Sequence, residues 1–224
     1  METLEAARES IIFDKMPETP PPMPPPVAQM ITANPAPLGL CAFSLSNLIL
    51  SLHLMGIGVD ANGPQGIMIS VSMFYGGLCQ LLTGMWEFRT GNTFGATTFT
   101  SYGAYWLSYG YIFLPSSNII DGYGGAATEQ FKHSLGLFMA GWAVFSFLML
   151  VAAHRSCVTL VAQFFMLFLT YVLSSAHCFN ESASTNMASG VCGFITAFLG
   201  FYNAMAGMMT PLNSFFVLPI GRLP

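Results

Sequence analysis

The chain has 224 residues, 54% of them hydrophobic and 7% charged. A soluble domain carries charge on about 25% of its residues, so a water-facing globular surface is excluded. Six basic and ten acidic side chains give a net charge of -4, too sparse for a nucleic-acid face or an acidic metal cluster.

Residues 1–15 hold acids and lack the apolar core of a signal peptide, so insertion is expected to rely on the first spanning helix. Residues 1–33 carry seven of the 14 prolines, which remove donors and fix φ, predicting an extended cytoplasmic leader rather than a docking site for a proline-reading domain. Apolar runs of about 20 residues then follow. At a rise of 1.5 Å per residue each matches a hydrocarbon core of about 30 Å. They predict six spans, over 38–57, 66–87, 93–114, 134–153, 158–178 and 188–209, separated by turns rich in glycine, proline and asparagine. The expected fold class is an all-α integral membrane protein, with a leader over 1–33, a six-helix membrane domain over 34–210 and a short cytoplasmic tail over 211–224.

Cytoplasmic loops carry the excess of Lys and Arg. In a six-helix threading Arg8, Lys15, Arg89, Arg155 and Arg222 share one side and Lys132 lies on the other, so both termini are expected in the cytoplasm. The glycosylation triplet starting at Asn180 then falls outside.

Lipid offers polar side chains no partners, so hydroxyls and amides within spans should face a bundle interior or a water-filled path. Ser44, Asn47 and Ser51 recur at helical spacing in the first span. Gln80, Thr83 and Glu87 do so in the second, Thr98, Ser101, Tyr102, Tyr105 and Tyr109 in the third, and Gln163, Leu167, Thr170 and Ser174 in the fifth. Any one of these hydroxyls is more often an interhelical hydrogen bond, but four such stripes together favour a path. The sixth span repeats Gly193, Ala197, Gly200, Ala204 and Gly207, a small-residue seam for close packing within or between protomers.

His53 near the outer end of the first span and Glu87 near the inner end of the second are the candidate proton or charge sites. An interfacial histidine with its hydrogen bonds met outweighs a proton acceptor at His53. No phosphate-binding loop, nucleophile elbow, zinc-protease motif or paired carboxylates occur, so no enzyme, ATP-driven pump, metal or cofactor is expected. The five cysteines read as free thiols. Passage of a small solute down a gradient is the class that remains.

The segment NPAPLGL (Asn34–Leu40) with Phe43, then FYGG (Phe74–Gly77), Gln80, Gly84, Glu87, GNTFG (Gly91–Gly95), FTSYG (Phe99–Gly103), Trp106 and finally LPIG (Leu218–Gly221) occur in order. This string resembles the signature of the acetate uptake transporter family, which includes bacterial succinate–acetate permeases and fungal acetate or ammonia-export proteins. The resemblance implies a plasma-membrane homo-hexamer in which each protomer is a six-helix, urea-channel-like bundle carrying acetate, and in some members succinate, coupled to protons. It implies a constriction of Phe43, Tyr102 and Leu167, the last also on the polar face read from spacing. The lining would come from Ser44, Asn47, Ser51, Gln80, Thr83, Thr98, Ser101, Tyr105, Gln163 and Thr170. Asn34, Pro35, Pro37 and Gly39 would shape the start of the first helix, an architectural role favoured over lining the pore mouth. With no basic side chain in mid-path, the protonated acid passes more easily than its anion, so flux is expected to rise as pH falls. A channel for ammonia or another small neutral solute, and an acetate sensor that moves nothing, are the alternatives. The short leader and tail leave a sensor little room for a signalling domain.

Overall fold

The computed structural model describes residues 33–61 and 63–223. The expectations for the leader, apart from Ala33, and for Arg8 and Lys15 lie outside these residues. Among the described residues six long helices make up the bundle, most of them bounded by a local signal. α1 (Ala36–Leu54) starts behind Pro35, with Pro37 in its first turn, where a missing N–H costs nothing, while Asn34 Oδ1 accepts the Ala36 N–H at 3.1 Å. It stops at Leu54 rather than 57, because Gly56 and Gly58 turn left-handed at φ 72° and 77°.

α2 (Gly66–Thr90) contains a π-helical stretch over Ser72–Cys79, and Gly91 at φ 79° ends it. Asn92 at once caps α3 (Thr93–Phe113), its Oδ1 accepting the Gly95 N–H at 3.0 Å. Between α3 and α4 the predicted loop holds two short helical turns, Pro115–Ser117 and Ile119–Gly122.

α4 (Glu129–Ala152) begins five residues before the apolar run, because Thr128 caps it and Glu129 suits the positive end of the helix. α5 spans Val158–Asn180. α6 (Ala183–Met208) likewise starts ahead of its expected position 188, capped by Ser182. A polar first turn is invisible to a search for apolar residues.

Five of the helices, α1, α2, α4, α5 and α6, are long and apolar enough to cross a membrane. α3, at 21 residues, is long enough but richer in Thr, Ser and Tyr. It buries those groups against its neighbours: Thr98, Tyr102, Tyr105 and Tyr109 are all interior. The small-residue seam of α6 packs inside the protomer, on α1. A Cβ at Gly193 or Gly200 would fall on the hydroxyl of Ser51 or Ser44, and one at Gly207 would come within 3.1 Å of Pro37.

After α6 the chain returns to the α4–α5 turn, where the Val158 N–H donates to Gly221 O at 2.8 Å and Cys157 pairs with Arg222 in a single β-bridge. Arg155 and Arg222 therefore lie at one end of the bundle. All five cysteines are free.

Candidate permeation pathway

Two cavities enter the bundle from opposite ends. The larger, about 930 Å³, opens where α1, α3 and α5 finish and α2, α4 and α6 begin. Its wall mixes amides and hydroxyls (Asn47, Ser51, Thr170, Ser174) with the rings of Tyr105, Tyr109 and Tyr171. The smaller, about 130 Å³, lies at the other end, among Ala36, Leu40 and Phe43 of α1, the start of α3, and Gln80 and Gln163. Among the described residues Leu167 alone borders both cavities.

Phe43 and Tyr102 stand beside Leu167 on the wall of the smaller cavity, each of the three no more than 3% exposed. The two rings lie 5.9 Å apart between centroids. Tyr102 is held from behind: its hydroxyl pairs with Ser146 Oγ at 2.7 Å, and Trp142 and Phe145 of α4 pack on its ring at 5.9 and 5.4 Å. The aromatic contacts and the hydrogen bond from α4 together leave the ring few rotamers.

The other sequence candidates divide by position. Asn47, Ser51, Tyr105 and Thr170 line the larger cavity, Asn47 with its amide donating to Gly193 O at 2.6 Å. Gln80, Thr98 and Gln163 line the smaller one. Gln80 is 1% exposed and its Oε1 has no hydrogen-bond partner, whereas Gln163 Oε1 accepts from Asn203 at 2.8 Å. Ser44 is buried against Gly200 in the α1–α6 seam and lines neither.

Thr83 and Ser101 also line neither cavity. At 100° per residue Ser101 sits about 70° off the axis through Thr98, Tyr102, Tyr105 and Tyr109, at the stripe's edge. Thr83 donates to Cys79 O at 2.9 Å and packs beside Gly39, where an added Cβ would meet its methyl at 2.8 Å.

Of the segment ahead of α1, Pro35 and Pro37 shape the first turn and Gly39 admits the Phe99 ring. Glu87 is 2% exposed, and its carboxylate accepts from Asn92 Nδ2 at 2.8 Å and Thr90 Oγ1 at 3.2 Å, which ties the α2–α3 turn; it lines neither cavity. His53, in the last turn of α1, also lines neither, and its buried Nε2 has no hydrogen-bond partner among the described residues, contrary to the expectation of a histidine with its hydrogen bonds met. No cluster among the described residues could hold a metal.

Sequence reasoning passed over α4. Phe138, Trp142 and Phe145 recur at helical spacing and enclose Tyr102 and Tyr105, but apolar rings in an apolar span carry no polar contrast to mark one face. Ser146 was the legible signal, a lone hydroxyl in an otherwise apolar stretch and fully buried. Lys132 and Glu181, at the mouth of the larger cavity, join at 2.6 Å. The hydrogen bond from Lys132 holds the Glu181 carboxyl below its ordinary range.

The chain has relatives among known proteins. The sequence profile of the GPR1/FUN34/yaaH family matches residues 17–224. The chain belongs to that family. It is 35% identical over 192 residues to the succinate-acetate/proton symporter SatP of Escherichia coli, covering 85% of this chain and 96% of that one. It is 39% identical over 201 residues to acetate permease A of Emericella nidulans and 38% identical over 195 residues to ammonia transport outward protein 2 of Saccharomyces cerevisiae. Each alignment covers 86% of this chain and 67% of the relative, so the chain spans about two thirds of these fungal proteins. The solved structure of the bacterial acetate channel SatP superposes with a TM-score of 0.75 at 31% identity, over 85% of this chain and all of that one. Members of the GPR1/FUN34/yaaH family with these names are transporters and channels, not enzymes.

Proposed function

We propose that the protein is a multi-pass membrane permease for acetate and other small monocarboxylates, with succinate as a further substrate, and that cargo passes between the two cavities at Leu167. The observation that carries this reading is that Leu167 lines both cavities, with Phe43 and Tyr102 on the wall of the smaller one. Two rings and a branched aliphatic side chain admit a methyl group and resist a hydrated ion. On either side, amides and hydroxyls replace lost hydration around a carboxyl group.

With no cation at the neck, the neutral acid or an anion accompanied by a proton crosses most easily, which fits a relative named as a proton symporter. The plasma membrane, cytoplasmic termini, α3 as the sixth span and a homo-hexamer complete the proposal. Arg89 in the last turn of α2, and Arg155 and Arg222 at the α4–α5 turn, support the orientation.

The test is labelled acetate uptake into proteoliposomes, with and without an inward proton gradient. Uptake that is stimulated by the gradient and blocked by excess unlabelled acetate is the expected result; uptake equal to empty liposomes sinks the reading. Leu167→Ala should widen the neck and admit bulkier acids. Unchanged selectivity in that variant would remove Leu167 from the constriction. The second reading, ammonia passage, draws on the relative named for ammonia transport and on the unpartnered acceptor Gln80 Oε1, which suits an N–H donor. Ammonium that alkalinises the lumen without competing with acetate would favour it.

A further inference from the structure

Among the described residues lining the larger cavity, Lys132 is the only lysine or arginine and Glu181 the only acid. They bond to each other at 2.6 Å across the cavity mouth, Lys132 from the first turn of α4 and Glu181 just beyond the end of α5. Glu181 occupies an expensive position. Its φ of 52° is left-handed, in a helix-terminating slot that glycine or asparagine fills at less cost. The side chain gained there is a carboxylate laid on the one lysine that lines the vestibule among the described residues.

We infer that Lys132 is a capture site for small carboxylate anions and that Glu181 is its built-in competitor. This rests on the reading of acetate as cargo and adds which ionic form enters the larger cavity. The Glu181 carboxylate is the chemical group that an arriving acetate would present, held where the acetate would bind. The pair is half exposed, with side chains 28% and 58% accessible, so water and salt screen it and a dissolved carboxylate can exchange for Glu181. Exchange places the anion inside the mouth. Below it lie the hydroxyls of Ser174 and Thr170 and the rings of Tyr171 and Tyr105, on the way to Leu167. Through Glu181 the charge of Lys132 is offset at rest, so the lysine has no strong hold on any passing anion.

The alternative is a structural clasp joining α4 to the end of α5, and the two differ in sign. For a clasp, removing either partner has the same effect. For a capture site, Glu181→Gln frees the lysine and Lys132→Gln removes it. The experiment measures half-saturation for labelled acetate at pH 7 in proteoliposomes, at about 0.02 M and about 0.5 M salt. At low salt Glu181→Gln should lower half-saturation about two- to fivefold and Lys132→Gln should raise it by a similar factor. Lys132→Arg should stay within twofold of the unchanged protein. Both shifts should shrink at high salt. Equal shifts in one direction, no shift, or shifts indifferent to salt would overturn the inference. If the unchanged protein carries no acetate, the functional reading falls and this inference with it, whereas acetate flux without the opposed shifts leaves that reading standing.

Discussion

A methyl group added at Gly200 would land on Ser44 Oγ, between α6 and α1. One added at Gly141, on α4, would meet nothing within 4 Å. Overpacking costs about 1–3 kcal/mol, and alanine recovers about 1 kcal/mol of helix propensity. Gly200→Ala should therefore lower the unfolding temperature in detergent, and Gly141→Ala should leave it unchanged or raise it. A fall in both would place Gly141 at a contact between subunits. At Tyr102, removing only the hydroxyl leaves Ser146 Oγ unpaired in a site with no exposure. Tyr102→Phe is expected to cost about 1 kcal/mol of stability while keeping the ring and the selectivity, whereas Tyr102→Ala opens the neck. Thermal unfolding and acetate flux on the two variants separate hydrogen bond from ring. None of these partners could be read locally: Ser146 is 44 positions from Tyr102, and Ser44 far from Gly200.

At the scale of elements, the α2–α3 turn depends on one side chain with two duties. Asn92 Oδ1 caps α3 while its amide serves Glu87. Asn92→Ala loses the cap, about 1 kcal/mol, and deprives a buried carboxylate of a donor, so the total should exceed a cap alone. Asn92→Asp keeps the cap but sets a second carboxylate against Glu87. It should be no better than alanine, as measured by amide exchange at the start of α3; full protection in Asn92→Asp would show that the contact to Glu87 contributes nothing. The sequence placed Glu87 among charge sites because an acid near a span is rare. The structure spends it on the turn. Helix starts behaved similarly, since the caps Thr128 and Ser182 precede any apolar periodicity.

Over the whole molecule, acid-stimulated flux is expected between about pH 7 and pH 5, and Glu181 can be set aside as its source. A carboxyl held below its ordinary value adds stability above the unfolded value and loses it only as pH falls through the lowered one. For Glu181 that loss lies below its ordinary value of 4.5, so the ion pair stays charged throughout the range. Glu181 is then not the source of the stimulation, and Glu181→Gln should retain it. A flat pH profile in Glu181→Gln would move the effect to the vestibule. From the sequence alone came six helical runs, the polar faces of four of them and the small-residue seam of α6, because hydrophobic period and side-chain size are local properties. The third run is legible as a helix, yet its hydroxyls keep it below the hydropathy of the five apolar helices, and only burial explains why it sits among them. Tertiary structure alone decided that α6 packs its seam on α1, that α4 wraps Tyr102, and that Leu167 borders both cavities. Those facts depend on which helix faces which, and contacts between residues far apart in the chain leave no periodic trace in either segment.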